Sequence, residues 1–253
     1  MKTWSLCILA CFLAFSVSGN AYSEDDDDHG HGHTDVEFVY EGGKIAIEFG
    51  DEGAVFEGEF PTEGIDLQFT SEPGFASEIE EGGGIGAGDQ IVYNVMSELL
   101  FWNDGFQAVP NSAQIRVVNR PPSPLVPDTL ISGITGAQPG SLDPAINRVG
   151  AAEPNGDFHS DLDFFLEPKG DVADPSMFGA YGYMISISTD AEGIADSDQF
   201  AMVYNFGLEE ETFEQGVEAF ASLVPEPSSA LLSLVAIFGA LPFVRRTRNR
   251  TSS

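Results

Sequence analysis

Side chains able to do chemistry gather in two short stretches of this 253-residue chain. In the first, His29-Gly30-His31-Gly32-His33 alternates imidazole with glycine, after the aspartates 25 to 28 and before Asp35. Imidazoles beside a carboxylate form a ligand set for Zn²⁺ or Cu²⁺. The same tract in an unfolded leader would bind metal only weakly, and both readings stay open. The second stretch is Gly156-Asp157-Phe158-His159-Ser160-Asp161-Leu162-Asp163-Phe164-Phe165-Leu166. As a strand it places Asp157, His159, Asp161 and Asp163 on one face and Phe158, Leu162 and Phe164 on the other, because successive side chains alternate. That polar row is either the wet face of an edge strand or part of a cation site. Ser160 falls on the face opposite His159, which argues against a serine–histidine pair.

Catalytic signatures are missing from the sequence. No Gly-x-Ser-x-Gly elbow, HExxH, P-loop or Gly-x-Gly-x-x-Gly at a strand-to-helix turn occurs. The glycines between Gly82 and Gly88 precede a strand, so no helix N-terminus is offered to a phosphate. The reading is therefore not an enzyme. A glycan hydrolase with paired carboxylates is kept as an alternative, since 41 acidic residues conceal any single pair.

Those 41 acids all lie between Glu24 and Glu226, where Lys44, Arg116, Arg120, Arg148 and Lys169 are the five basic residues, a formal −36. This charge excludes nucleic acid as a partner and attracts divalent cations such as Ca²⁺. Much of it also serves solubility.

The elements that must position the two stretches are strands. Asp35 to Tyr40, a Glu41-Gly42-Gly43 turn and Lys44 to Phe49 read as a hairpin. Further strands are expected at Ala54–Phe60, Ile65–Thr70, Gln90–Val95, Glu98–Trp102, Gln114–Val118, Phe158–Leu166, Tyr181–Ser188 and Phe200–Phe206. Ten short strands divided by Gly and Pro turns predict an all-β fold, a single β-sandwich-like domain over residues 35–223. One helix is predicted at Glu209–Leu223, where Phe213, Val217, Phe220 and Val224 recur at helical spacing and should cap the sandwich. Asn119 to Asp157, with seven prolines, reads as a long loop and a candidate contact surface.

Both ends carry targeting features. Met1-Lys2, the apolar run Leu6–Phe15 and the small residues after it have the order of a secretory signal peptide, residues 1–21, with cleavage after Ala21 or Ser23. Cys7 and Cys11 lie inside that segment, so the exported chain would carry no disulfide, thiol nucleophile or thiolate site. Residues 22–34 form an acidic, His-rich leader. At the other end, Pro225-Glu226-Pro227 forms a stiff extended segment, because proline lacks the N–H and disfavours αR in the residue before it. An apolar run over 230–244 follows, shorter than the ~20 residues of a full span. It ends in Arg245-Arg246-Thr247-Arg248-Asn249-Arg250, which positive-inside logic keeps cytoplasmic.

Motif, short apolar segment and basic tail in this order resemble the PEP-CTERM sorting signal over residues 224–250. That resemblance implies an exosortase-type enzyme as partner, contact with the membrane through the C-terminal segment, and delivery to the cell surface or extracellular matrix. The body is similar in a second respect. His31-Gly32-His33-Thr34-Asp35-Val36, Glu41-Gly42-Gly43-Lys44, Glu72-Pro73-Gly74-Phe75, Val95 to Trp102, Gly156-Asp157-Phe158-His159 and Gly179-Ala180-Tyr181 resemble choice-of-anchor M-type surface domains. Metal handling among such domains implies His33, Asp35 and His159 as ligand positions. A second histidine expected near His159 is Asp161 here, which moves the expectation toward a harder cation such as Ca²⁺.

The sequence thus predicts an exported, non-catalytic binding or structural protein, with extracellular polysaccharide or divalent cations as partners. A metal-binding module is the alternative. Its site residues are His31, His33, Asp35, His159, Asp161 and Asp163, with Zn or Ca as the ion.

Overall fold

Two central strands set the architecture, because the period-2 pattern of each is apolar on both faces. β14 (Gly179–Thr189) is buried at all eleven positions and β15 (Phe200–Phe206) at six of seven. Tyr181, Tyr183, Ile185 and Ile187 with Phe200, Met202, Tyr204 and Phe206 face the main core. Ala180 and Met184 with Ala201 and Val203 face a second, smaller cluster. A strand pair of this kind needs cover on both sides.

The computed structural model describes residues 35–49, 53–81, 83–120, 127–133 and 147–225. The predicted signal peptide, the leader with His31 and His33, and the sorting segment from Glu226 onward lie outside the described residues. In chain order the other strands are β1 (Val36–Glu41), β2 (Lys44–Glu48), β3 (Val55–Glu59), β4 (Phe69–Thr70), β5 (Phe75–Ser77), β6 (Gln90–Val95), β7 (Leu100–Trp102), β8 (Phe106–Gln107), β9 (Gln114–Val118), β10 (Thr129–Ser132), β11 (Arg148–Ala151), β12 (Phe158–Ser160) and β13 (Asp163–Glu167). Among the described residues the fold is all-β with one α-helix, α1 (Glu210–Ala221).

Among the described residues the strands form three sheets. The largest runs β11-β6-β14-β15-β3, with β7 pairing the start of β14 and β8 pairing β7. Two four-stranded sheets, β12-β5-β1-β2 and β10-β9-β13-β4, complete the set. All three contribute to the main core: Phe38 and Phe75 from one small sheet, Ile115, Val117, Phe164 and Leu166 from the other. Phe164 of β13 meets Tyr204 of β15 with ring centroids 5.3 Å apart, and Tyr40 of β1 bonds Thr189 of β14 at 2.7 Å. On the far face of the large sheet, α1 lays down Phe213, Val217 and Phe220, the stripe its periodicity predicts. Gly182 of β14 makes room for it: a Cβ there would meet the Phe220 ring at 2.5 Å.

Four expectations need correction. Ile65–Thr70 is a turn leading only into β4, for Gln68 adopts φ 59° and Ile65 is solvent-exposed. The buried Gln68 amide instead donates to the carbonyls of Leu166 and Pro168 and accepts from Gly170 N, pinning the turn to the end of β13. Phe158–Leu166 is two strands in two different sheets, β12 and β13, parted at Asp161 and Leu162. The Pro-rich stretch 119–157 is not only loop, since it supplies β10 and β11, each the outer strand of a sheet. Short β5 and β8 are strands where none was expected.

Candidate functional site

His159 stands where three strand ends come into register. β12 pairs β5 antiparallel with Ser160 opposite Phe75, and β5 pairs β1 parallel with Phe75 opposite Val36. One step further along, Asp161, Gly74 and Asp35 therefore lie side by side. Gly74 is held by two bonds to the neighbouring strand: Val36 N donates to its carbonyl at 2.9 Å, and its own N–H donates to Asp35 Oδ1 at 3.1 Å. With no side chain on Gly74, both flanking carboxylates lean over it. A Cβ at that position would sit 2.6 Å from Asp161 Oδ1 and 2.8 Å from Asp35 Oδ1.

The imidazole closes the group from above. His159 Nε2 lies 3.3 Å from Asp35 Oδ2 and 3.7 Å from Asp161 Oδ1. The His159 side chain is 58% exposed, so a protonated imidazole between these carboxylates contributes no more than ~1 kcal/mol of stability. Among the described residues no group of three or more His, Cys, Asp or Glu side chains is placed to hold a metal ion. As arranged, the His159 imidazole lies against the carboxylates of Asp35 and Asp161.

The other residues of the predicted row go elsewhere. Asp163 accepts from Arg120 at 3.1 Å, while Arg120 Nε donates to the Asp161 carbonyl at 2.7 Å. Asp163 is thus engaged by Arg120, whereas Asp35, His159 and Asp161 face one another. Asp157 is a turn residue: its carboxylate accepts from Ile79 N at 2.9 Å and from the Asn155 amide. His31 and His33 lie outside the described residues.

A neighbouring feature escaped the sequence reading. Arg120, just after β9, and Arg148, opening β11, are joined through their backbones, Arg120 N to Arg148 O at 2.9 Å. A buried chain of polar groups holds the residue before each. Tyr93 Oη donates to Asn119 Oδ1 at 2.8 Å, Asn119 Nδ2 donates to Thr129 Oγ1 at 3.2 Å, and Thr129 Oγ1 donates to Asn147 Oδ1 at 2.5 Å. Burial pushes the Tyr93 phenol well above its ordinary range, so it stays a neutral donor. Only the pairing of two arginines 28 positions apart across a Pro-rich segment could have revealed this, and spacing does not encode it.

Most remaining cations are neutralised. Lys44 pairs with Asp198 at 2.6 Å. Arg116 lies between Glu167 at 2.7 Å and Asp128 at 3.0 Å, with its guanidinium 4.1 Å from the Phe165 ring centre. Burial opposes the charge on Glu167, yet bonds from Arg116 and Gln114 outweigh it and hold the carboxyl below the usual range.

Among the described residues no helix is long and apolar enough to cross a membrane. In comparisons with protein-family models, curated proteins and solved structures, nothing matches this chain.

Proposed function

We propose that this chain is an exported surface protein, sorted through Pro225-Glu226-Pro227 and displayed in the envelope or extracellular matrix, whose β-sandwich-like body binds or scaffolds without catalysis. The observation that supports the reading is how close in sequence the motif follows the packed helix. Leu223 N and Val224 N still bond back to the last turn of α1, at 2.9 and 3.2 Å, and Val224 packs on the helix cluster. Pro225 follows at once and is exposed. A processing enzyme of the exosortase type would meet its motif directly beyond a folded edge, with the apolar segment behind it in the membrane. Polysaccharide or divalent cations are the partners proposed for the body, and nucleic acid is excluded by charge. Mass spectrometry of the surface fraction tests the sorting. The reading expects a mature chain lacking the segment from Ala230 onward and an uncut membrane-held form for Glu226→Ala. An intact arginine-rich C-terminus on the surface protein leaves a plain anchor instead.

A second reading, a divalent-cation module, is favoured by the convergence of Asp35, His159 and Asp161 over Gly74. It needs ligands beyond that trio, and His31 and His33 lie four and two positions before Asp35 in sequence. Calorimetric titration of Zn²⁺ and of Ca²⁺ into the full chain and its His159→Ala variant decides it. Zn²⁺ affinity should fall at least about tenfold in the variant if the folded trio contributes, as loss of one ligand implies. Equal affinity assigns any binding to the leader alone.

A further inference from the structure

We infer that the seam between β11 and β12 is a binding cleft for a carboxylate carried by a small sugar acid or organic acid. The cleft is lined by Arg120, Arg148, Gly150, His159 and Ser160, is open to solvent and has a volume of about 390 Å³, within the size class of small-molecule sites. No carboxylate is among the residues that line it. Two of the five basic residues between Glu24 and Glu226 share this concavity with His159. Arg120 is matched by Asp163 and His159 lies against Asp35 and Asp161, so of the two arginines Arg148 is the one without an ion pair among the described residues, and the placement of both arginines is built. The two arginines are bonded backbone to backbone, the residues before them are locked in the buried Tyr93–Asn119–Thr129–Asn147 chain, and the β11–β6 ladder slips between Arg148 and Gly150. Bulges of this kind re-aim a side chain.

Arg148 then lacks what Arg116 and Arg120 possess. Its Nε is buried without a hydrogen-bond partner, and among the described residues its guanidinium forms no ion pair. Nε itself is closed to solvent, so the remaining guanidinium nitrogens, claimed by no ion pair among the described residues, are what an incoming carboxylate would meet. Gly150 keeps the floor low: a Cβ there would press on the Phe158 ring and on Ser160 Cβ, both at 3.3 Å. Ser160 Oγ donates to the Val149 carbonyl at 2.7 Å, tying β12 to β11 beneath the opening.

The chemistry of the occupant follows from geometry and charge. A planar guanidinium matches a planar carboxylate through two parallel N–H···O bonds. A single negative charge is also the most the surrounding acidic field tolerates cheaply, so phosphate and extended polyanions are disfavoured. His159 is exposed at the rim with Nε2 turned to Asp35, which leaves Nδ1 as the ring atom for a further hydrogen bond to a ring hydroxyl or to the acid itself.

Titration calorimetry and amide NMR on the full chain in mild detergent test this, with galacturonate, its neutral counterpart galactose, acetate and inorganic phosphate as probes. Galacturonate is expected to bind at least about tenfold more tightly than galactose, with shifts centred on Gly150, Ala151 and Ser160. Arg148→Gln should weaken it about 10- to 100-fold, the range for a charge-assisted hydrogen bond, without lowering the melting temperature. Acetate binding as well as galacturonate identifies a plain organic acid, and weaker acetate binding a sugar acid; either supports the site. Absence of galacturonate binding, equal binding of galactose, tighter binding of phosphate or unchanged affinity in Arg148→Gln overturns it. Should that variant not fold, the wild-type shifts decide, and a centre elsewhere overturns the assignment.

Discussion

Gly74 shows how much rests on the side chain a residue lacks. Its missing Cβ lets two carboxylates on flanking strands close over one backbone position and face a single imidazole. Gly74→Ala puts a methyl group within 2.8 Å of both Asp35 Oδ1 and Asp161 Oδ1, so one carboxylate must swing away from His159. The expected loss is about 1–3 kcal/mol, the usual range for overpacking, read by urea denaturation. Because the strain arises from both carboxylates, the same substitution in a background carrying Asp35→Ala and Asp161→Ala should cost clearly less. An equal penalty in both backgrounds would place the strain elsewhere. The sequence carried part of this site: alternation from Phe158 onward put His159 and Asp161 on the wet face, where they are. It could not show Gly74 between them, nor that Asp163 is matched by Arg120, since both depend on which strands lie side by side.

At the scale of elements, legibility followed the strength of the hydrophobic period. β6, β9 and β15 have the ends their sequences predict, and α1 shows the apolar stripe of Phe213, Val217 and Phe220. β5, β8, β10 and β11 run for two to four residues, too few for a period to register, and their pairing comes from neighbours. Ile65 to Thr70 has the alternation of a strand but loses to a buried side-chain amide that satisfies the backbone of β13. The helix carries a correctable weakness. Glu209 takes the extended N-cap conformation at φ −66°, ψ 149°, yet its side chain makes no capping bond. Aspartate has the short reach that the N2 and N3 amides require, while the acidic first turn, Glu210 and Glu211, already suits the helix dipole. Glu209→Asp should add about 0.5–1 kcal/mol, and differential scanning calorimetry should show a rise of roughly 1–4 °C for a domain of this size. No rise would mean that the first turn is already satisfied by other groups.

Over the whole molecule, titration threatens the fold from the alkaline side and charge density from every side. Five of the six tyrosines lie among the described residues, and Tyr40, Tyr93, Tyr181, Tyr183 and Tyr204 are all pushed well above the ordinary phenol range, burial being the largest cause. Since the folded phenols hold their protons more firmly than unfolded ones, their contribution is intact below about pH 10, the unfolded value, and falls as pH rises beyond it. Tyrosinate absorbance near 295 nm and near-UV circular dichroism should therefore change together in one cooperative step; tyrosinate appearing while the dichroism persists would show that the phenols ionise in the folded state. Salt acts on the other liability. With 41 acids against five bases between Glu24 and Glu226, self-repulsion opposes compaction, and 0.1 M salt shortens its reach to about 10 Å. The melting temperature should rise with NaCl and then level off, because screening has no saturable site to fill. CaCl₂ at matched ionic strength separates that general effect from a seat for the ion. Asp163 is engaged by Arg120, whereas Asp35 and Asp161 face His159 and are the candidates in that cluster. A calcium increment beyond NaCl should then vanish in Asp161→Asn; an increment that survives places calcium elsewhere, and equal curves for the two salts mean screening alone.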